Sequence, residues 1–243
     1  MAELSFKYSG KLFLIPTTLG GENPLDVLPE KVKNTLDGLN DIIVENEKTA
    51  RRHIKQLLPD KSQQDLNLHS LNKFTDSSEI PGFLNACKEG RNMGLMSEAG
   101  CPGVADPGSE IVKIAHREGI QVVPLVGPSS ILLAMMTSGM NGQSFSFHGY
   151  LPIDKKERKQ EIKFLEKLSV EKNQAQIFIE TPYRNNQMLE DLSQNLHPAT
   201  RICVACDLTL SSEFVITKAA ADWKKTKTDL HKRPAIFIIQ KEP

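Results

Sequence analysis

Short apolar runs alternate with longer amphipathic stretches along the first half of the chain. Lys11-Leu12-Phe13-Leu14-Ile15, closed by Pro16, has the length and composition of a buried strand. Leu25, Leu28, Val32, Leu36 and Leu39 then recur at helical spacing, with Pro29 bending or delaying the start. Residues 41–45 predict a second strand, and a helix follows through Ile54, Leu57 and Leu58 until Pro59 ends it. The charges of its first turn, Glu47, Lys48, Arg51 and Arg52, fit a solvated face. Residues 67–69 predict a short strand, 77–88 a helix with Gly90 beyond its end, and 93–96 another apolar strand. Ile111, Ile114 and Ala115 line one face of the next helix, with Asp106 as its N-cap, Pro107 in its first position and Gly119 at its end. A strand at 120–125 completes a repetition that predicts a mostly parallel sheet with helices on its faces.

The pattern changes after Gly127-Pro128-Ser129-Ser130, which opens a small-residue helix ending near Gly139. Residues 144–150 alternate polar groups with Phe145 and Phe147, as a half-exposed strand does. An amphipathic helix follows, with Ile162, Phe164, Leu165 and Leu168 as its apolar side. Its basic face of Lys155, Lys156, Arg158, Lys159 and Lys163 suits either solvent or RNA phosphates. Strands at 175–180, 201–208, 213–217 and 235–240, a helix at 184–196 and a polar, mobile connection at 224–232 read as α+β with antiparallel neighbours. The expected division is an N-terminal α/β domain, residues 1–126, and a C-terminal α+β domain, residues 127–243.

Composition narrows the function. In 243 residues, 30 basic side chains balance 30 acidic ones, so no global field recruits nucleic acid or anionic membrane, and only a local basic patch could. No apolar run approaches the roughly 20 residues of a membrane span, and the 12–15 run is too short for a signal-peptide core. The four cysteines fit a cytoplasmic chain without a disulfide framework. Cys203 and Cys206 have C-x-x-C spacing, but on a strand residues three apart face opposite ways, which argues for small buried side chains over a metal site.

The chemistry-bearing stretch is Ser97-Glu98-Ala99-Gly100-Cys101-Pro102-Gly103-Val104-Ala105-Asp106-Pro107-Gly108. Its glycines and prolines forbid regular structure, and it leaves the carboxyl end of a strand, where open α/β sheets bind ligands. A tight strand-to-helix connection without chemistry reads equally well from spacing alone. Thr17-Thr18-Leu19-Gly20-Gly21 is a second strand-end loop; it is neither a GxGxxG fingerprint nor a P-loop.

These loops, with Val123-Pro124-Leu125-Val126-Gly127-Pro128-Ser129-Ser130, Ser138-Gly139, Phe147-His148-Gly149-Tyr150-Leu151-Pro152 and Glu180-Thr181-Pro182-Tyr183-Arg184, follow one another in the order and spacing of a known group. The chain resembles the tetrapyrrole (corrin/porphyrin) methylase superfamily from about Leu12 to Ile239. Within it, the chain is most similar to the branch that methylates the ribose 2′-oxygen of a cytidine in small-subunit ribosomal RNA. The resemblance implies a two-domain α/β fold, with a mostly parallel N-terminal sheet and an α+β C-terminal domain. It also implies a homodimer, and S-adenosylmethionine held in the cleft between domains without the Rossmann fingerprint.

Carried over by position, cofactor contacts fall on Leu19, Ser97, Glu98, Ala99, Gly100 and Cys101. Further contacts fall on Ser130, Ile131, Ile179 beside Glu180, and Ala205 beside Cys206. Removal of a hydroxyl proton calls for a base or relay, for which Glu45, Lys48 and Glu180 stand at strand ends, with Arg51 and Arg184 as substrate-binding cations. The implied enzyme is a cytoplasmic S-adenosylmethionine-dependent methyltransferase without a metal or a membrane anchor. Structured RNA is its substrate, and a tetrapyrrole precursor is the alternative.

The chain departs from the branch in several places. Ala-Glu-Asp-Thr-Arg becomes Val44-Glu45-Asn46-Glu47-Lys48, and Ser-Asp-Ala-Gly becomes Ser97-Glu98-Ala99-Gly100. Glu-Leu-Thr-Lys becomes Asp207-Leu208-Thr209-Leu210, and the last strand reads Arg233-Pro234-Ala235-Ile236-Phe237. These changes fall on the substrate side and motivate a further reading, a cofactor-binding relative without catalysis. A third reading is an enzyme for another nucleotide-like ligand.

Overall fold

The computed structural model describes residues 6–21, 23–76 and 78–242. The chain forms two compact units, Met1–Ser129 and Ser130–Pro243. The first holds five strands, β1 (Lys11–Ile15), β2 (Asp41–Val44), β3 (Asn67–Ser70), β4 (Met93–Met96) and β5 (Gln121–Pro124). They pair in the order β3-β2-β4-β1-β5, every pair parallel. Four helices alternate with them: α1 (Glu30–Asp37), α2 (Glu47–Leu57), α3 (Asn85–Lys88) and α4 (Gly108–Glu118).

Strand alternation sorts the core into two layers. Ile15, Ile42, Val44 and Met96 pack with α1 and α2, while Leu12, Ile43, Met93 and Leu95 pack with α3 and α4. Covering both faces is what lets these strands be nearly all apolar. Gly94 sits in the first layer, where a Cβ would lie 3.3 Å from Ile42 and 3.4 Å from Ile15 and Leu39.

Several helix starts differ from expectation for local reasons. Pro29 has no N–H to donate and becomes the N-cap of α1, so the periodic stretch from Leu25 splits into a 3₁₀ turn (Pro24–Asp26) and α1. Asn46 caps α2, its Oδ1 accepting from the Thr49 N–H at 3.1 Å. The helix expected at 77–88 begins as a 3₁₀ segment, Ile80–Leu84, around Pro81 and Gly82 before becoming α3; Ser77 lies outside the described residues. Helix α4 starts at Gly108, not at Pro107. Pro107 takes the N-cap position in place of Asp106, whose carboxylate accepts from the N–H of Gly108, the first residue of α4 (2.7 Å), and from that of Gly103 (2.9 Å), tying the preceding loop to the helix start.

The second unit runs α5 (Ser130–Ser138), β6 (Phe145–Tyr150), α6 (Lys155–Glu171), β7 (Ala175–Ile179), α7 (Asn185–Asn195), β8 (Arg201–Cys206), β9 (Phe214–Ala219), α8 (Ala220–Trp223) and β10 (Ala235–Gln240). Its sheet has the order β6-β7-β10-β8-β9; only β6 and β7 are parallel, and the other pairs are antiparallel. The architecture is therefore the expected α/β fold with a parallel first sheet and an α+β second unit. Phe178 and Phe237 stack at 6.0 Å in a core shared with Ile162, Leu165, Met188, Leu192 and Trp223. The Trp223 indole N–H donates to the Ile202 carbonyl at 2.9 Å. Cys203 and Cys206 are buried, free thiols on β8. Among the described residues, no helix is long and apolar enough to cross a membrane.

Two residues of α6 are placed opposite to expectation. Phe164 is 55% exposed, because it lies about 100° round the helix from buried Leu165. Arg158, counted with the basic face, is buried against Asp191: Nε donates to Oδ2 at 2.8 Å, and Nη1 donates to the Ile153 carbonyl at 2.7 Å. The connection at 224–232 is anchored rather than free, since Leu230 is fully buried and its N–H donates to Asn186 at 2.7 Å.

Removing one partner of a buried ion pair strands the other charge, whereas replacing both with apolar groups does not. Asp191→Ala should therefore cost about 3–5 kcal/mol in urea denaturation, and the double variant Arg158→Met, Asp191→Leu should regain most of that loss.

Candidate active site

Strands β1 and β4 are neighbours, yet the helices that follow them lie on opposite faces of the sheet. Their carboxyl-terminal loops therefore diverge and open a crevice, the switch point at which parallel sheets bind ligands. One backbone bond spans its floor, from the Thr17 N–H to the Gly100 carbonyl at 2.9 Å. Gly100 has φ +74°, and a Cβ there would lie 3.3 Å from both Leu19 Cδ2 and the Pro128 carbonyl. Only glycine suits this position on both counts.

Leu19 and residues 97–101, six of the expected cofactor contacts, thus converge in the first unit. Their roles differ. Ser97 is buried, and its hydroxyl is occupied inside the loop, 3.2 Å from the Ala99 carbonyl and 3.3 Å from that of Gly100. Cys101 Sγ faces the Pro128 carbonyl at 3.4 Å, and burial pushes its pKa up. Glu98 and Ala99 are exposed. Among the described residues, the N–H groups of Ala99, Gly100 and Cys101 have no acceptor. Unused amides, an exposed carboxylate and a half-buried Leu19 form a donor set that fits a polar cofactor with an apolar face.

Glu45 ends β2 beside this loop. Its Oε1 accepts from the Glu98 N–H at 3.1 Å, while Oε2 has no hydrogen bond among the described residues. Burial raises its pKa above the usual carboxylate range; the Glu98 N–H opposes that rise, and the nearby charges of Asp106 and Glu98 add to it. Lys48, the second residue of α2, is exposed and has no ion pair among the described residues. Arg51 is committed elsewhere, its Nη1 donating to the Gln63 carbonyl at 2.6 Å.

The expected residues of the second unit fall into two groups. Ile179 and Ala205 flank Ile236 in register, so β7, β10 and β8 present them as one row across the sheet, with Ile236 as the member the motifs did not indicate. Ser130 and Ile131 begin α5. The side chain of Glu180 is 1% exposed and accepts both the Thr181 N–H and Arg184 Nη2 at 2.6 Å. That pair locks the turn into α7, where Arg184 is the N-cap residue.

Sequence reasoning also missed His53. It lies on α2 and lines a small cavity with Thr17, Glu45, Thr49, Ser97 and Glu98; its Nε2 is buried without a partner. A lone histidine inside a charged, amphipathic helix gives no sign of this until α2 is docked on the sheet. Burial lowers its pKa, so the ring stays neutral in the fold while the unfolded chain takes up a proton near the ordinary value of about 6.5. Stability should therefore fall as pH drops below about 6.5. Urea denaturation at neutral and acidic pH should show less of that loss in His53→Leu than in the unsubstituted chain.

A five-stranded parallel sheet with a glycine-bent strand-end loop, followed by a mixed-sheet α+β unit, is the architecture of a class of solved methyltransferases. The methyltransferase CobJ has a TM-score of 0.61 at 18% identity, covering 94% of this chain and 93% of that one. Uroporphyrin-III C-methyltransferase from Thermus thermophilus, complexed with S-adenyl homocysteine, has a TM-score of 0.54 at 14% identity, covering 96% and 98%. The chain belongs to the tetrapyrrole (corrin/porphyrin) methylase family, whose profile matches residues 24–222. It is a methyltransferase with S-adenosylmethionine as its methyl donor.

The curated relatives are more similar in sequence. Ribosomal RNA small subunit methyltransferase I of Buchnera aphidicola subsp. Schizaphis graminum (strain Sg) is 28% identical over 238 residues, 97% of this chain and 79% of that protein. The protein of the same name from Bacillus subtilis (strain 168) is 32% identical over 209 residues, 85% of this chain and 66% of its own length.

Proposed function

We propose that the chain methylates a ribose 2′-hydroxyl of small-subunit ribosomal RNA, acting in the cytoplasm as a homodimer. The observation that carries the reading is the position of Glu45, a carboxylate with one free oxygen beside a cofactor-type loop, in a chain aligned over nearly its whole length with ribosomal RNA methyltransferases. When bound, S-adenosylmethionine supplies an electrophilic methyl group; the free amides of residues 99–101 and the Glu98 carboxylate would hold it.

A ribose hydroxyl is a weak nucleophile until its proton has somewhere to go. Glu45 Oε2 takes that proton, while the Glu98 N–H keeps Oε1 fixed and prevents the carboxylate from turning away. Burial raises its pKa, which makes Glu45 a stronger base than an exposed carboxylate. Glu180 is engaged by Arg184 and Thr181 and serves as a brace for the second unit. Lys48, exposed and without an ion pair among the described residues, is suited to a substrate phosphate rather than to proton transfer. The four free cysteines suit a reducing compartment.

Incubation with radiolabelled S-adenosylmethionine and small-subunit ribosomal RNA should place label in RNA, at a 2′-O-methyl ribose after nuclease digestion. Label in uroporphyrinogen instead would give the substrate to the tetrapyrroles, and cofactor binding without transfer to either would mark a non-catalytic relative.

Glu45→Gln keeps an oxygen for the Glu98 N–H and should slow transfer by roughly 10²–10⁴-fold. Its cofactor affinity in calorimetry should stay unchanged. Glu98→Ala should do the reverse, weakening the cofactor; unchanged affinity there would remove the loop from the cofactor site.

A further inference from the structure

Lysines gather on one flank of α6, where Glu166 is engaged by the His197 N–H and the Thr200 hydroxyl and Glu171 closes the series. Lys155, Lys159, Lys163 and Lys167 succeed one another at four-residue intervals, which turns them into a gently winding stripe about 18 Å long. Lys156 projects beside it, whereas Glu157 and Glu161 lie on the other flank of the exposed face. All five lysines are exposed. Among the described residues, Lys155, Lys156, Lys159 and Lys163 have no ion pair, and only Lys167 has one, to Glu171 at 3.5 Å.

A helix built only for stability would place glutamates four residues before lysines; successive lysines at that spacing repel and weaken it mildly. Arg158, the one arginine of this segment, is used inside the core, so every basic group on the exposed surface of α6 is a lysine.

We propose that this lysine stripe is a docking surface for the phosphate backbone of the RNA substrate, which deepens the preceding reading and rests on it. Lysines are mobile point charges that track phosphates without reading bases, which suits holding a folded RNA while another part of the protein reacts with one ribose. The length of the stripe matches several consecutive phosphates of a single strand. Phe164, 55% exposed at the stripe's edge, offers a stacking surface for an unpaired base. An anionic membrane is the poorer match, because the apolar side of α6 is spent on the core through Ile162 and Leu165 and cannot enter lipid. With 30 basic residues against 30 acidic ones, the chain has no global field to gather RNA, so a local stripe must do it.

The test is the salt dependence of binding of the full chain to a small-subunit ribosomal RNA fragment, followed by fluorescence anisotropy. Lys155→Gln, Lys159→Gln, Lys163→Gln together remove three charges with a residue of similar helix propensity, so the melting temperature should hold. The slope of log affinity against log salt should fall by about 2 to 3, and affinity near physiological salt should drop on the order of a hundredfold. The RNA KM should rise with a much smaller change in kcat. A control triple, Lys224→Gln, Lys225→Gln, Lys227→Gln, changes net charge equally on another exposed segment and should leave the slope nearly unchanged.

Equal losses in both triples, or an unchanged slope in the first, overturn the stripe while leaving ribosomal RNA as the substrate if the unsubstituted chain still methylates it. No binding of the RNA by the unsubstituted chain overturns both readings. Loss of binding to phosphatidylserine vesicles, with RNA binding intact, also overturns the stripe and reassigns it to a membrane surface.

Discussion

The bond from the Thr17 N–H to the Gly100 carbonyl ties together the two strand-end loops that flank the crevice of the first unit. It joins the ends of two paired strands at the point where their chains turn to opposite faces of the sheet, so it sets how far the crevice can open. Thr17 contributes a second contact, its hydroxyl donating to the Ser97 carbonyl at 3.4 Å. With Gly100 held at positive φ, the next amides turn outward instead of back into the loop. The bracing by Asp106, through the N–H groups of Gly103 and Gly108, fixes the far end. A loop clamped at both ends offers its unused amides without having to order itself when ligand arrives, and such preorganisation improves both binding and in-line methyl transfer.

That clamping brings three carboxylates close together, those of Glu45, Glu98 and Asp106. Asp106 is consumed by backbone N–H groups, yet burial still raises its pKa above the ordinary range. Glu98 is solvated. Burial raises the pKa of Glu45 as well, and unlike Asp106 it keeps one carboxylate oxygen without a hydrogen bond among the described residues. His53 lies in the wall of the same cavity and stays neutral because burial lowers its pKa, so it offers no positive charge to offset the carboxylates.

Much of this was legible in the residues alone. Pure apolar runs such as residues 12–15 and 93–96 can only be strands covered on both faces, and proline or glycine at their ends marks where loops must turn. The loop at residues 97–108 stood out because backbone constraints leave glycine and proline in the sequence as a record, whereas its assignment with Leu19 to the cofactor came from the resemblance. Side-chain commitments leave no such record. Nothing in the order of residues tells that Arg158 turns inward to Asp191 while its neighbours stay out, that Glu180 is taken by Arg184, or that Arg51 is bound to the Gln63 carbonyl. Each of these depends on a partner 4 to 33 residues away, brought close only by packing. Helix periodicity also errs by a fraction of a turn, which is enough to put Phe164 on the wrong side.

The departures from the RNA-methylating pattern acquire physical reasons once the side chains are placed. Asn46 stands where that pattern has an aspartate, and it caps α2 through Thr49, a task that asparagine and aspartate perform about equally well. The change therefore removes a negative charge beside Glu45 without disturbing the helix start, and with fewer carboxylates nearby Glu45 ionises more readily. Asp207 retains a carboxylate where the pattern has glutamate, and it is engaged by Arg233 Nε at 2.8 Å and by the Ser212 hydroxyl at 2.7 Å. Arg233, itself a departure, thus pairs with an acid of the neighbouring loop, so two of the altered positions compensate each other. Thr209 between them is the residue of the pattern itself, held at φ +72° with a buried hydroxyl that has no partner among the described residues.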